Sequence, residues 1–364
     1  MTKTLRKKTP ERAKILSALC LGALILYALA RIPWIAEHVF ARGVTRWLSF
    51  LLNRLTNVIP VSLYEIAAAV LVAGGVVLLV FLVAFLAKKN YARAGIWLYR
   101  TAVAALAALL SFGVLYAPLY ARENADAALG LKTDVTEQSL FAAAEYYVSA
   151  LNETSARLGR DESGNVLPTC GFAELSRKLN DCYDAFGGGY FADYEVRPKA
   201  VLLSVPMSYL GITGIYFPFT AEANVNVNIP CYEIPCTAAH EMAHAKGVSR
   251  ENEANIVSYA VCILSEDDYF RYSGLMNAAA ILLNALPDGQ YETLRGRLDE
   301  KVLREYADAR AHYEKYEGFI DSLSSFFNDL FLKANGVPSG TASYGETAES
   351  LVALYEKIKN AADC

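Results

Sequence analysis

The stretch Thr237-Ala-Ala-His240-Glu241-Met-Ala-His244-Ala-Lys-Gly247 decides how this chain is read. Residues four apart on a helix stack on one face, so His240 and His244 can present both imidazoles to a single metal ion. Glu241 stands beside them, where a carboxylate can hold and deprotonate a metal-bound water, the general-base role in zinc-dependent peptide hydrolysis. The competing reading is an ordinary buried helix on which two histidines fall four apart. With four histidines in the whole chain, that coincidence is the weaker explanation.

A catalytic zinc takes three protein ligands and leaves one position open for water. The extended pattern HExxHxxGxxH is matched at Gly247 and fails at its last position, Arg250, because a guanidinium cannot ligate a metal. The following run, Arg250-Glu-Asn-Glu253-Ala-Asn255, offers Glu253, with Glu251 as near competitor. Glu253 is the expected ligand: Ala254 beside it permits close helix approach, and Asn255 is placed to hydrogen-bond a ligand from behind. The set is then His-His-Glu, of the gluzincin type, with zinc as cofactor and Glu241 as base. A donor for the tetrahedral oxyanion is expected opposite the zinc. Tyr272, His312 and Tyr344 qualify by residue type alone, although each is more often structural in a chain with 23 tyrosines.

Upstream of the motif the segment changes period. Ala200–Val205 and Gly214–Thr220 read as strands, and Asn224-Val-Asn-Val-Asn-Ile229 alternates polar and apolar residues as a half-exposed strand does. A strand so placed can edge a peptidase cleft and pair with an extended substrate, which makes Asn224, Asn226 and Asn228 candidate substrate contacts. A structural hairpin is the equal alternative. Downstream, Ser249 is a plausible N-cap for a helix over 250–264, and helical patterns cover 273–286, 291–316, 319–334 and 347–361. Two more helices are expected over 135–156 and 172–185.

Further out, composition sets the compartment. The chain is 54% hydrophobic, and the excess is concentrated before residue 120 in the runs Ile15–Ala30, Ile66–Ala87 and Thr101–Leu119. Each run with its flanks can cross a hydrocarbon core of about 30 Å. Lys3, Arg6, Lys7, Lys8, Arg12 and Lys14 precede the first run, and Lys88, Lys89 and Arg93 lie between the second and third, so both segments are expected to face the cytoplasm. The reading is a multi-pass protein of the cytoplasmic membrane: residues 1–120 form a membrane domain, and residues 121–364 an extracytoplasmic domain. The connection between the first two runs carries Phe40, Val44, Trp47, Leu48, Leu51, Leu52 and Leu55 at helical spacing, as a helix along the membrane surface would.

Six of the seven cysteines fall after the third run. An oxidising compartment permits disulfides, with Cys170 to Cys182 and Cys231 to Cys236 the nearest pairs, and free buried thiols are an equal alternative. The net charge of −4, with no basic run beyond the apolar segments, argues against nucleic acid as a partner. The expected partners are the lipid bilayer and a peptide or protein substrate. An intramembrane protease is excluded because the motif lies among charges rather than in an apolar run.

One resemblance supports this picture. The segment Met207-Ser-Tyr-Leu-Gly-Ile-Thr-Gly-Ile-Tyr-Phe-Pro-Phe-Thr-Ala-Glu-Ala-Asn224, with His240-Glu-Met-Ala-His244, Arg250-Glu-Asn-Glu-Ala-Asn255, Tyr272-Ser-Gly, Lys333-Ala-Asn-Gly and Ser343-Tyr-Gly, resembles an uncharacterised bacterial family of three-span membrane proteins, domain of unknown function 3810. The resemblance implies a zinc-peptidase-like exterior domain. The Glu-x-Glu-Ala pattern is also similar to that of membrane gluzincins related to the CAAX-processing and heat-shock membrane proteases, which implies Glu253 as ligand. The expected fold is mainly α with a small β-sheet: three N-terminal transmembrane helices followed by a zincin-like α+β domain. The expected activity is that of a membrane-anchored zinc metallopeptidase; a non-catalytic, peptidase-like binding or scaffold protein of the cell envelope is the alternative.

Overall fold

The computed structural model describes residues 2–131, 134–186, 189–338 and 347–362. Three helices are long and apolar enough to cross a membrane: α1 (Thr2–Ala30, of which Glu11–Ala30 is the apolar part), and two others described below as α3 and α4. Between α1 and α3 most of the chain is helical. Pro33–Ile35 leads into a nine-residue π-helix, Ala36–Val44, followed by α2 (Thr45–Thr56). Its polarity is turned inside out relative to a soluble helix. Thr45, Ser49, Asn53 and Thr56 are buried, whereas Trp47, Leu51 and Leu55 are exposed. The buried groups spend their hydrogen bonds on the protein: Thr45 Oγ1 donates to the Val114 carbonyl (2.6 Å), Asn53 Nδ2 to Ala221 (3.2 Å) and Thr56 Oγ1 to Thr220 (3.0 Å). Of the stripe that the spacing picked out, Val44, Trp47, Leu51 and Leu55 face outward, whereas Phe40 is buried and Leu52 packs on the core.

Helices α3 (Leu63–Ala87) and α4 (Tyr91–Leu115) form a hairpin around Lys88 and Lys89. At about 1.5 Å per residue, each is longer than a hydrocarbon core of roughly 30 Å. Helix α3 starts at Ser62, which accepts from the Glu65 N–H, and α4 starts at Asn90, which accepts from that of Arg93. The third apolar helix ends at Leu115, earlier than composition suggested. Tyr116 leaves helical geometry there, and Pro118 lies in the 3₁₀ turn Ala117–Ala121.

The change in composition near residue 120 is no break in contacts. Arg122 grips Glu37 with two hydrogen bonds of 3.1 Å, and Arg46 donates to the carbonyls of Gly189 and Phe191. After α5 (Glu137–Ser155) and α6 (Phe172–Asp184) comes the sheet. Strands β1 (Lys199–Val201), β2 (Gly214–Phe217) and β3 (Glu222–Asn226) lie in the order β1-β3-β2, with β1 parallel and β2 antiparallel to β3. The expected strand over 200–205 stops at Val201 because the Glu65 carboxylate takes the N–H groups of Leu202 and Leu203, and a short helix, Ser204–Tyr209, follows.

The sheet lies on α7 (Ile234–Ala245), which packs in turn on α8 (Glu251–Ile263) and α9 (Asp268–Asn284). Small residues bring these helices together: Ala238, Ala239, Ala243, Ala254 and Ala260 are fully buried, and a Cβ on Gly274 would meet Ile263 Cγ1 at 2.8 Å. Between them sit Met242, Ile256 and Phe270, each worth about 1.5–3 kcal/mol relative to exposure. The pattern over 291–316 is split into Asp288–Arg295 and α10 (Glu300–Glu314), because Asp299 caps a new helix by accepting from the Lys301 N–H. Helices α11 (Phe319–Ala334) and α12 (Ala348–Ala362) complete the described chain. Cys170, Cys182, Cys231, Cys236 and Cys262 are free thiols, so neither expected disulfide forms among the described residues.

Candidate metal centre

Helix α7 is anchored at both ends and along its length. Pro235 occupies its first turn, where no intrahelical N–H is needed. The next N–H, of Cys236, donates to Ser273 Oγ at 3.1 Å. Tyr183 and Tyr194 donate their hydroxyls to the carbonyls of Ala239 and Ala245, and the buried Lys246 ammonium caps the neighbouring loop at the Ala192 and Tyr194 carbonyls. Gly247 then turns the chain at φ +105°, a conformation that favours glycine, and its carbonyl accepts from Arg122. This turn sets how α8 returns against α7.

The return brings Glu251, not Glu253, to the histidines. One ligand atom each from His240, His244 and Glu251 lies within 4.8 Å of the others. His240 Nε2 is 3.1 Å and His244 Nε2 3.5 Å from the same Glu251 oxygen, Oε2. For a zinc bonded at about 2.0–2.1 Å, a tetrahedron has edges of about 3.3 Å, so these separations suit one ion. The two rings are mutually perpendicular, with centroids 4.6 Å apart.

The expected ligand Glu253 is engaged elsewhere. Its carboxylate is 2.6 Å from Arg250 Nε and accepts the Ala125 N–H, and burial outweighs these partners to push its pKa up to about 7. The physical reason is helical geometry. Residues two apart project from different faces. Arg250 holds the extended N-cap position, so Glu251 opens the helix facing α7 while Glu253 faces away. Ser249, expected to be the cap, is buried instead, and its hydroxyl has no partner among the described residues.

The hydrogen bonds of His244 fix its tautomer. Nδ1 lies 2.7 Å from the Val248 carbonyl, which can only accept, so Nδ1 carries the proton and donates. In the neutral ring Nε2 is then a lone pair facing a carboxylate oxygen at 3.5 Å. Two acceptors stand opposed, and a cation must lie between them or the ring must be protonated. Without a metal the ring takes the proton: burial opposes its charge, but the adjacent Glu251 carboxylate more than offsets this and lifts the His244 pKa to about 9. Reciprocally, the two imidazoles overcome burial and hold Glu251 well below the usual carboxylate range. The donor set and this electrostatic deficit fit a divalent ion with nitrogen and oxygen ligands.

Glu241 completes the cluster. Burial raises its pKa to about 7, against the lowering effect of both histidines, and it accepts the Tyr216 N–H. Its Oε2 is buried with no partner among the described residues. A solvated proton or a water is the chemistry such an oxygen lacks. The backbone makes room for it: a Cβ on Gly214 would lie 2.5 Å from Glu241 Oε1. Gly214 opens β2, so the strand beside the cluster must begin with a residue that has no side chain. Tyr116, 3.1 Å from His244 Nδ1 through its hydroxyl, closes the other side. Sequence reasoning missed both residues. The only signal was the aromatic pair Tyr116 and Tyr120 just past the third apolar helix.

The remaining expected residues that the structure describes are bonded to other groups. Tyr272 is fully buried, donates to Glu305 (2.7 Å) and receives a bond from Arg160 (3.3 Å). His312 Nε2 binds the Asn228 carbonyl at 2.9 Å. Tyr344 lies outside the described residues. Asn255 sits further along α8, where its carbonyl accepts from Ser258. The asparagines of the alternating segment are not offered to a ligand. Asn224 and Asn226 are fully buried, bonded to Ser62, Ile215 and Glu222 and to Ser208 and Ile212, and Asn228 binds Ser208 and Tyr316. The strand carrying the first two is the centre of the sheet, and β2 is the edge strand nearer the cluster.

No curated protein and no solved structure matches the chain. A family model described as "Protein of unknown function (DUF3810)" matches residues 40–352, a span that begins within the π-helix and takes in both later apolar helices, the sheet and the whole His-Glu cluster. The chain belongs to the DUF3810 family.

Proposed function

We propose that this protein is a membrane-anchored zinc metallopeptidase in which His240, His244 and Glu251 hold the ion and Glu241 is the general base. The observation that carries the reading is a convergence in one place: ligand atoms of His240, His244 and Glu251 within 4.8 Å of one another, and beside them the buried Glu241 oxygen with no partner among the described residues. A zinc ion held there supplies Lewis-acid polarisation of a water and of a peptide carbonyl. Glu241 takes the proton from that water and returns it to the departing amine; a carboxylate with a pKa near 7 is matched to both tasks. The Tyr216 N–H and the bare backbone at Gly214 hold that carboxylate in place. The basic residues beside the apolar helices favour an extracytoplasmic domain, and so a substrate at the envelope.

A second reading has an observation of its own. The side chains of His240, His244 and Glu251 are only 15%, 6% and 13% exposed, which suits a binding protein that keeps a metal without turnover. One experiment separates the two. Full-length protein in nanodiscs is assayed for zinc and for cleavage of a fluorogenic peptide library, as wild type and as Glu241→Gln. The peptidase reading expects zinc in both and turnover lowered at least ~10²-fold in the variant. Zinc without turnover in the wild type supports the binding protein, and protein without zinc refutes both.

A further inference from the structure

Helix α11 has its polarity reversed relative to a helix that packs on a protein core. Phe319, Ile320, Leu323, Phe326, Phe327 and Leu330 are all exposed, Phe319 by 80% and Phe326 by 61%. At 3.6 residues per turn they share one stripe of about 120°, while Asp321, Ser325, Asn328 and Asp329 occupy the other side. Leu332 is its one buried residue. An apolar face this continuous and turned outward marks a contact surface.

The fixed points at each end of the helix say what that surface meets. At its C-terminal end, Arg31 Nη2, just past α1, donates to the Ala334 carbonyl at 2.7 Å, and Phe331 packs edge-on against Phe112 near the end of α4, with centroids 5.8 Å apart. At its N-terminal end, Asp321 lies against Gly211, where a Cβ would come within 2.4 Å of its carboxylate. Gly211 follows the exposed apolar segment of Leu202, Leu203 and Val205, whose backbone is tied to Glu65 in the first turn of α3. Both ends of α11 are thus moored beside the ends of the apolar helices, at the level where α1 and α4 finish and α3 begins. The outward apolar face of α2, with Trp47, Leu51 and Leu55, belongs to the same level.

We propose that α11 lies in the plane of the membrane interface with its phenylalanine face in the lipid, as a second interfacial element besides α2. The partner is a bilayer surface, and the inference rests on α1, α3 and α4 crossing that bilayer. Aromatic and aliphatic groups on one face with Asp and Ser on the other suit the boundary between acyl chains and headgroups.

The test uses the full chain in nanodiscs. A ketone-bearing amino acid at Phe327 carries a nitroxide and leaves the native cysteines untouched; the same label at Leu71, in α3, and at Arg310, on α10, supplies the references. Collision with oxygen, which partitions into lipid, is compared with collision with a neutral nickel chelate, which stays in water. The proposal expects the oxygen-to-nickel ratio at 327 to follow Leu71 and to exceed that at Arg310 several-fold. A ratio at 327 like that of Arg310, with Leu71 in lipid, overturns it. Low accessibility to both reagents at 327 also overturns it, because a protein partner or second copy then covers the face. A water-exposed label at Leu71 would instead refute the spanning reading itself.

Discussion

Two clusters of buried charge meet at the start of α8 and behave in opposite ways. In the first, Glu37 and Arg122 satisfy one another, and Arg250 pairs with Glu253 at 2.6 Å although its Nε makes no hydrogen bond among the described residues. Arg122 binds both Glu37 oxygens, the Gly247 and Tyr190 carbonyls and, through its plane, the Tyr190 ring at 3.9 Å, while its own carbonyl accepts from Arg250, the partner of Glu253. In the second, His240, His244 and Glu251 converge on one spot, and the Glu241 carboxylate beside them leaves one oxygen bare. The first cluster pairs its charges within the protein and joins the segment after α1 to the α7–α8 turn. The second is complete only with something added.

The sharpest way to break this contrast is to remove one glutamate from each side. Glu251→Ala should abolish stoichiometric metal binding in atomic absorption, whereas Glu253→Ala should keep the metal and lose only stability. Loss of metal in both, or in neither, would erase the distinction.

Next in size is the completed cluster itself. Arg122→Ala leaves Glu37 buried without its main partner, a change that destabilises by about 3–5 kcal/mol when a buried pair is broken, read as a fall in midpoint in thermal unfolding of the detergent-solubilised protein. The same pair carries a pH signature. Burial works against the Glu37 carboxylate, but Arg122 and Arg42 overcome it and hold its pKa down at about 2. A lowered folded pKa means that the stabilisation is fully present above the ordinary carboxylate range and is lost as pH falls toward 2. Arg122→Ala should flatten that part of the stability profile, and an unchanged profile would remove Glu37 from the account.

The smallest expected effect belongs to Tyr116→Phe. Removing the hydroxyl beside His244 Nδ1 leaves the Val248 carbonyl as the ring's remaining partner there, so metal affinity should drop by about tenfold, the lower end for groups that orient a ligand. Competition with a zinc-sensitive chelator measures it, and an unchanged affinity would make Tyr116 a packing residue only.

Much of this was legible in the residues. The helix of His240 and His244 followed from spacing, and the apolar helices followed from run length, since both are local properties. The choice between Glu251 and Glu253 was not local. It depended on the angle at which α8 returns, set by Gly247 at φ +105° and by Arg122 bound to that glycine's carbonyl, a contact across more than a hundred residues. The asparagine alternation had the right period and the wrong implication. It pointed to β3 but set the strand over 224–229, where the structure has Glu222–Asn226; β3 is the central strand, and its polar face is buried against Ser62 and Ser208 rather than solvated. Alternation reports two different faces; it does not say that one of them is wet.

Leu115 is the last residue of the third apolar helix, and Tyr116, the very next, touches the imidazole of His244. The molecule has no slack at that joint. A single residue added to the end of a helix turns everything beyond it by about 100° and advances it by about 1.5 Å, enough to carry the hydroxyl off the ring. The depth of the helix in its surroundings and the position of the histidine are a single dimension, inherited together.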